Sequence, residues 1–199
     1  RLHLTGSLTS ARMMSGASAS ISGNGSTTGS LTTSGASGGT IILDTANPTS
    51  ALTVNGAAFN GPTKVELNNQ QALGSTVYTV LNYSTTLTNL ANLSSSNSRG
   101  TFANDTVNKK ITFTASSESR TWNHAASNTW NLTDSNWVEG DNKFFNGDAV
   151  TFGNAGAGTV TVSGSVSPNS ISFTNDLGND YLLVSSTGNA ITGTATLDK

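Results

Sequence analysis

The sequence predicts an all-β fold, and within that class a β-solenoid in preference to a β-sandwich. Short runs with β-branched or aromatic residues at alternate positions recur at roughly ten-residue spacing, and Gly, Asn, Asp or Pro border them. Ser, Thr, Asn and Gly make up about half of the 199 residues. That composition suits stacked coils with polar outer ladders better than a sandwich, which needs larger inward side chains.

Ten runs are predicted as strands because each alternates in this way between turn residues. They are Thr40 to Leu43, Ala51 to Val54, Lys64 to Leu67, Thr76 to Leu81, Lys110 to Thr114, Ala149 to Phe152, Thr159 to Ser163, Ser170 to Phe173, Tyr181 to Val184 and Ala190 to Thr192. The segment Thr86 to Leu93 has leucines three residues apart, but it is short and a Ser/Asn run follows it. It therefore predicts one helical turn or a loop.

The segment Gly16 to Thr40 has almost no large side chains, so its composition alone would also suit a flexible linker. Ile21 and Leu31, however, lie ten residues apart, each between small polar residues and glycines. This spacing favours thin coils with one apolar anchor each.

Charge and cysteine content exclude several function classes. The formal net charge is -2, and the nine Lys and Arg residues are scattered along the chain, with Lys109 and Lys110 the one adjacent pair, so no basic track is available for phosphates or an anionic membrane. Cysteine is absent, which excludes disulfides, thiolate metal sites and a cysteine nucleophile. No run reaches the length of a membrane-spanning helix. We therefore expect neither nucleic acid as a partner nor a membrane span in this segment.

Two parts of the chain resemble one protein family. In the first, Trp122, Trp130 and Trp137 (TWNHAASNTWNLTDSNW) precede FNGDAVTF, TVTVSGSVSPNSISFTN and DYLLVSSTGNAITGTATL. In the second, within Ala17 to Leu67, SISGNGSTTGSLTTSG precedes LTVNGAAFNGPTKVEL. These parts resemble the autotransporter-associated β-strand repeat, also called the passenger-associated transport repeat, of Gram-negative surface proteins. The resemblance implies a right-handed parallel β-helix, secretion to the cell exterior and roles in adhesion, aggregation or surface coats. It implies no catalytic residues.

These observations predict two regions. Residues 1–120 are expected to form β-solenoid coils, with a less regular stretch over 68–120. Residues 121–199 are expected to form a Trp-rich opening followed by the strands of the next repeat unit.

The tryptophans and one Gly-Asp pair are the candidate functional residues. Exposed indole faces are the usual platform for sugar rings, but Trp122, Trp130 and Trp137 could instead anchor a small core beside nearby phenylalanines. The core role is the preferred interpretation. Gly147 and Asp148 precede the strand AVTF, so Asp148 is expected to close a turn by accepting backbone N–H groups.

Two kinds of catalytic arrangement are considered and not favoured. His3 and His124 lie in unlike contexts, and neither has a nucleophile motif or a carboxylate at a suitable spacing. Arg120, Lys109 and Lys110 are expected to lie near no convincing carboxylate pair, so a polysaccharide-cleaving groove is not indicated. The sequence predicts no enzyme, and neither catalytic nor cofactor-binding residues.

A calcium site is the remaining chemical alternative. Asp134, Glu139, Asp141 and Asp148 fall within fifteen residues, and carboxylates are ligands that calcium takes. Neither an EF-hand loop nor the glycine-rich calcium nonapeptide accompanies them. Capping of turns by Asp and Asn is preferred, and no metal is expected.

The expected function is a non-enzymatic structural or adhesive module of a long secreted bacterial surface protein or extracellular filament, acting through stacked β-helical repeats. The expected location is extracellular, at the bacterial cell surface. The expected partners are adjacent repeats or identical subunits end to end, with host or surface glycans as a further class. A glycan-binding module and a polysaccharide-acting β-helix enzyme are the alternatives.

Overall fold

The computed structural model describes residues 2–8, 13–15, 19–36, 38–68 and 76–199 of the chain. Short strands and turns make up almost all of the described backbone, with a single 3₁₀ turn at Leu90–Asn92. No helix in this described part has the length and apolarity needed to cross a membrane. The described part of the chain divides into two compact units, and the second is Ser117–Lys199.

The first unit is built from short strands that are mostly two to five residues long. They are β1 (Leu2–Leu4), β2 (Ser7–Leu8), β3 (Met13–Ser15), β4 (Ser20–Gly23), β5 (Ser26–Thr27), β6 (Leu31–Thr33), β7 (Gly39–Leu43), β8 (Leu52–Val54), β9 (Ala57–Phe59), β10 (Thr63–Leu67), β11 (Val77–Tyr83), β12 (Leu87–Thr88), β13 (Leu93–Ser95), β14 (Arg99–Asp105) and β15 (Lys110–Ser116).

Successive strands of the first unit enter three sheets in rotation. The first sheet has the order β1-β4-β7-β10-β13, the second contains β2, β5, β8 and β11, and the third has the order β12-β9-β6-β3. Neighbours within each of these series are parallel. The chain therefore returns to the same sheet after every third strand.

The number of residues that the chain takes to return to the same sheet can be measured along one row of paired residues in the first sheet. Leu2 pairs with Ile21 and Ile21 with Ile41, which are returns of 19 and 20 residues. Ile41 pairs with Val65 and Val65 with Ser95, which are returns of 24 and 30 residues. The strands stay short throughout, so the added residues lie mainly in the connections between them.

An antiparallel hairpin ends the second sheet. Strand β15 pairs antiparallel with β11, and β14 pairs antiparallel with β15, so the sheet order is β14-β15-β11-β8-β5-β2. Phe113 on β15 packs between Tyr78 on β11 and Phe102 on β14, with ring centroids 6.5 and 4.9 Å apart. The parallel progression of this sheet stops at the hairpin.

The interior of the first unit is filled by alternate residues of the strands. The five residues of β7 and of β10 alternate between buried and more exposed positions, as period-two strands with one core face do. Polar side chains at the interior are hydrogen-bonded: Thr33 Oγ1 and Thr63 Oγ1, both buried, lie 2.7 Å apart. This bond satisfies two hydroxyl groups that burial would otherwise penalise.

The second unit follows the same rotation with shorter sheets, except that its first coil contributes strands to two of the three sheets. Its strands are β16 (Ser119–Thr121), β17 (Thr129–Trp130), β18 (Ala149–Phe152), β19 (Gly158–Val162), β20 (Ser165–Val166), β21 (Ser170–Phe173), β22 (Tyr181–Ser185), β23 (Ala190–Ile191) and β24 (Thr196–Asp198). The sheet orders are β16-β18-β21-β24, β17-β19-β22 and β20-β23, and every pairing is parallel.

The predicted strands are confirmed, two of them to the residue at Ala149–Phe152 and Ser170–Phe173. The segment Thr86 to Leu93 contains the two-residue strand β12 followed by the 3₁₀ turn. The linker alternative for Gly16 to Thr40 is wrong for its described residues. They form β4, β5 and β6 and the start of β7, and Ile21 and Leu31 are both buried.

Candidate functional site

The three tryptophans lie together inside the second unit. Trp122, Trp130 and Trp137 are 0 to 1% exposed, and they pack edge to face with ring centroids 5.2 to 5.7 Å apart. Phe144 packs edge to face on Trp130, and Phe152 lies within 6.0 Å of all three indoles, centroid to centroid. No indole face is left open, so the arrangement suits a packing core rather than a sugar platform.

Trp122 and Trp130 differ in how their indole N–H groups are satisfied. Trp122 Nε1 donates to the carbonyl oxygen of Gly156 at 3.1 Å. Gly156 has φ 79°, and a Cβ there would lie 2.8 Å from Trp122 Cδ1, so a glycine is required. Trp130 Nε1 is buried and has no acceptor within hydrogen-bond reach in the described part of the chain.

Gly147 and Asp148 form the turn that leads into β18. Gly147 has φ 93° and its N–H donates to Ser167 O at 2.7 Å. Asp148 is fully buried, and its two carboxylate oxygens accept from Phe145 N–H and Glu118 N–H, each at 2.8 Å. One side chain thus ties together the turn and the preceding coil.

Arg120 is a buried charge that the sequence did not reveal. It lies on β16, paired in register with the buried Val150 of β18, and its side chain has no exposed area. Its guanidinium contacts three carboxylates: Glu118 at 2.6 Å, Asp141 at 3.1 Å and Asp148 at 3.8 Å. The expectation that Arg120 lies near no carboxylate pair is therefore wrong.

The physical reason for the error is the distance along the chain. Asp141 and Asp148 follow Arg120 only after the loop that contains the other two tryptophans, and a complete coil brings them back beside β16. Arg120 also donates to the carbonyl oxygen of Glu139. Burial of a guanidinium is tolerated only with such paired charges and acceptors.

The two lysines considered with Arg120 lie in the first unit. Lys110 Nζ is 3.9 Å from Asp105 Oδ2, at the hairpin between β14 and β15. Lys109 Nζ lies 5.9 Å from the ring centroid of Tyr83. Lys110 therefore contacts the hairpin itself, and Lys109 contacts the neighbouring strand β11.

Each carboxylate considered for calcium already accepts a hydrogen bond from, or forms an ion pair with, another group of the protein. Asp134 accepts from Ser127 Oγ at 2.8 Å, which is the main cause that lowers the pKa of this carboxyl. Glu139 accepts from Thr121, while Asp141 and Asp148 pair with Arg120. Across the described ranges, no group of three His, Asp or Glu side chains is placed to hold a metal ion.

The histidines lie far apart in the chain and belong to different units. His3 Nδ1 is 2.8 Å from Ser22 Oγ, across the β1 and β4 pair. His124 lies in the left-handed region at φ 43°.

Glu139 gives a pH-dependent contribution to stability. Burial raises the pKa of this carboxyl, but hydrogen bonds from Thr121 Oγ1 and Thr121 N–H, both at 2.7 Å, outweigh burial and hold the pKa below its ordinary value. A lowered folded-state pKa contributes stability that is present above the unfolded-state pKa. That stability is lost as the pH falls through the folded-state pKa.

We therefore expect Glu139→Gln to destabilise the second unit by about 1 kcal/mol near neutral pH, because the amide presents one acceptor where the carboxylate presents two. The difference from the parent chain should shrink as the pH falls through the lowered folded-state pKa of Glu139, since the carboxyl is then protonated. Urea unfolding over a series of falling pH values, followed by tryptophan fluorescence, measures this effect. A difference that stays constant over this range would contradict it.

One row of inward residues crosses the second unit from a charged end to an apolar end. Arg120 pairs with Val150, Val150 with Ile171, and Ile171 with Leu197 of β24. Exposure along this row is 1% at Arg120 and 71% at Leu197. The row is therefore covered at one end and open at the other.

Comparison of the chain with protein-family models, with curated proteins and with solved structures gives no match. The arrangement described above is therefore the basis for assigning a function.

Proposed function

We propose that this chain is a non-enzymatic structural or adhesive module of a long secreted bacterial surface protein or extracellular filament, acting by stacking of β-helical coils. The observation that carries the proposal is the rotation of strands through three sheets in both units, with parallel pairing between successive coils. A β-sandwich, the alternative fold, is built from antiparallel sheets. Each unit is proposed to be a right-handed parallel β-helix, because crossovers between parallel strands of one sheet are almost always right-handed.

The polar surface of the coils supports an extracellular structural role. About half of the residues are Ser, Thr, Asn or Gly, and cysteine is absent. Paired positions on the outer face carry hydroxyls and amides, as where Ser7 Oγ lies 3.0 Å from Ser26 Oγ. Each added coil makes similar contacts with the coil before it, so it adds a similar free energy, which is how repeat proteins extend. The secretion and adhesion parts of the proposal rest on the resemblance to the surface repeat family.

The buried ion cluster supports a structural rather than a catalytic role. A polysaccharide-cleaving site needs carboxylates that reach the glycosidic bond. Arg120 and Asp148, at the centre of the cluster, have 0% and 1% of their side-chain area exposed. Glu118 and Asp141 are 47% and 43% exposed, but each pairs with the buried Arg120 guanidinium. The cluster therefore holds the turn and the coil together.

The parallel register gives a direct test because the chain has no cysteine of its own. Lys64 of β10 lies between Thr40 of β7 and Ser94 of β13 in the paired row. We expect the pair Thr40→Cys with Lys64→Cys to close a disulfide, since neighbouring strands lie about 4.8 Å apart and a disulfide spans about 4.4–6.8 Å between Cα atoms. Oxidation followed by peptide mapping measures closure.

The matched control is Thr40→Cys with Ser94→Cys, two strands apart at roughly 10 Å, which should stay open. Equal closure of both pairs, or closure of the control alone, would contradict the parallel order.

The functional part is tested on the native material. Electron microscopy should show uniform rods or filaments whose power spectrum contains a repeat near about 4.8 Å. Incubation with acidic and neutral polysaccharides should give no bond cleavage. Compact particles without the repeat, or cleavage that is lost on Asp148→Asn, would overturn the structural role.

A further inference from the structure

We propose that β14, the outer strand of the hairpin in the first unit, is the surface through which two copies of this chain pair, antiparallel and related by a two-fold axis at Phe102. The contact goes beyond the proposed function, because it joins copies through a hairpin strand and adds no coil. Three observations carry the proposal: the open edge of β14, the direction of its backbone groups, and the order of its side chains.

The edge of β14 is open, and the strand lies in the middle of the chain. It is the terminal strand of its sheet, at the point where the hairpin of β14 and β15 follows β11. It pairs with β15 over seven consecutive positions without a bulge, and it contains neither lysine nor proline. Proteins commonly protect an edge with bulges, lysines or prolines, so β14 is a ready template for an added strand. Four of its residues are exposed: Gly100, Thr101, Ala103 and Asn104.

The backbone groups on the open side of β14 can be assigned from one hydrogen bond of β15. Ala115 N–H donates to Thr76 O at 2.9 Å, so the backbone of Ala115 faces the β11 side of β15. Because backbone direction alternates along a strand, the two neighbours of Ala115 face β14, and its register partner Gly100 faces away from β15. The register continues without a shift, so Phe102 and Asn104 also present their N–H and C=O groups to the open side.

The side chains of β14 are self-complementary when a second β14 runs antiparallel to it. The strand reads RGTFAND, with Arg99 and Asp105 at its two ends and Phe102 at its centre. A two-fold axis at Phe102 places Arg99 of each copy opposite Asp105 of the other. Phe102 then meets its counterpart on the face where it already packs on Phe113, with ring centroids 4.9 Å apart. Facing pairs of opposite charges and of aromatic rings stabilise neighbouring strands.

Other arrangements of two β14 strands lose these contacts. A parallel pair would set Arg99 beside Arg99 and Asp105 beside Asp105, and like charges in facing positions are destabilising. An antiparallel pair shifted by one residue would set the outward groups of Phe102 against residues whose backbone groups point to β15. The two-fold arrangement pairs Gly100 with Asn104 and Phe102 with itself, so all the outward groups are bonded. A second copy of this chain is therefore the partner that fits β14.

Asp105 can make this contact without leaving the hairpin turn. Its two carboxylate oxygens accept from the N–H and the side-chain amide of Asn108, at 3.0 and 2.7 Å, and Lys110 Nζ lies 3.9 Å away. A carboxylate offers about four acceptor sites, so further donors can be added. The side chain of Asp105 is 28% exposed, which leaves room for a guanidinium from a second copy.

Sedimentation velocity of the chain over a range of concentrations tests the association. Arg99→Glu sets two carboxylates in facing positions at both ends of the contact, so it is expected to raise the dissociation constant by at least about tenfold. Lys64→Glu is the matched control, because it makes the same change of net charge at an exposed position of β10 in the same unit. A parent chain that stays monomeric at every concentration, or equal effects of the two substitutions, would overturn the proposal.

Disulfide trapping tests the register, and the chain has no cysteine of its own. Thr101 and Ala103 would face each other across the two-fold axis as a non-hydrogen-bonded pair, with Cα atoms about 4.5 Å apart. Two Thr101 residues would be diagonal neighbours, about 7–8 Å apart. Mixing Thr101→Cys chains with Ala103→Cys chains under oxidation should therefore give the mixed disulfide in preference to either homodimer.

The matched control for trapping mixes Thr101→Cys chains with Val107→Cys chains, because Val107 is 88% exposed and lies outside β14. This mixture should give little mixed disulfide. Preferential coupling of two Thr101→Cys chains would indicate a parallel pair, and equal coupling in all mixtures would indicate nonspecific contact. Either result would overturn the proposal. Thr101 and Ala103 are both exposed, so the trapping result stands even if Arg99→Glu perturbs the fold of the first unit.

Discussion

Replacing Asp148 by alanine is expected to lower the free energy of unfolding of the second unit by about 3–5 kcal/mol, the usual cost of removing one partner from a buried ion pair. The substitution removes a fully buried carboxylate that faces Arg120 at 3.8 Å. It also leaves the N–H groups of Phe145 and Glu118 without their carboxylate acceptor. All three tryptophans lie in this unit, so urea unfolding followed by tryptophan fluorescence reports on it selectively.

Asp180→Ala is the control for the loss of one negative charge from the same unit. Asp180 is exposed, and its contribution to the coil is a backbone carbonyl that accepts from Gly158 N–H. Its substitution is expected to change the free energy of unfolding by no more than about 0.5 kcal/mol. Equal losses for Asp148→Ala and Asp180→Ala would show that the buried ion cluster does not stabilise the unit.

A double-mutant cycle separates the ion pair from the turn. Arg120→Met removes the guanidinium while keeping a long apolar side chain in the inward row. If the charges interact as their geometry indicates, Asp148→Ala should cost less in the Arg120→Met background than in the parent chain. The remaining cost then measures the hydrogen bonds to the two backbone N–H groups.

The sequence was informative where a strand is long enough to alternate. In Ala149–Phe152 two residues face the core and two face outward, so the period of two is visible in four letters. Strands such as Ser7–Leu8, Ser26–Thr27 and Ser165–Val166 contain two residues and have no period to detect. They are fixed by parallel pairing with strands 19 to 27 residues away, as Ser7 pairs with Ser26 and Ser26 with Thr53.

The hairpin strand β14 was missed for a different reason. Its sequence, RGTFAND, is exposed or half-buried along its whole length, so it carries no apolar face. It is held instead by seven paired positions along β15, which itself alternates between buried and more exposed residues. Strand propensity and hydrophobic alternation are weak predictors of a strand whose main interaction is backbone pairing to one neighbour.

The candidate site residues also differ in whether a local sequence signal identified them. Asp148 was identifiable because Gly-Asp before a strand is a local turn signal. The role of Arg120 was not, because Asp148 lies in the turn before the paired strand of the next coil and Asp141 lies in a loop, and neither is visible as a local spacing. Residues that act across coils become recognisable only when the coil length is known.

Trp130→Ala distinguishes a packing role of the tryptophans from glycan recognition. The indole of Trp130 is fully buried and contacts Trp137, Phe144 and Phe152. Its removal is expected to lower the free energy of unfolding by about 3–5 kcal/mol, through lost burial and the cavity that remains. The fluorescence of Trp122 and Trp137 reports the unfolding, and retention on immobilised polysaccharides is measured in parallel.

Trp130→Phe is the control that separates ring packing from the indole N–H. Because Trp130 Nε1 has no acceptor within the described part of the chain, a phenyl ring loses no hydrogen bond and keeps most of the edge-to-face contacts. We therefore expect Trp130→Phe to cost clearly less than Trp130→Ala. If Trp130→Ala instead abolished retention on a polysaccharide while the free energy of unfolding stayed unchanged, the tryptophans would be a binding surface and the packing role would be wrong.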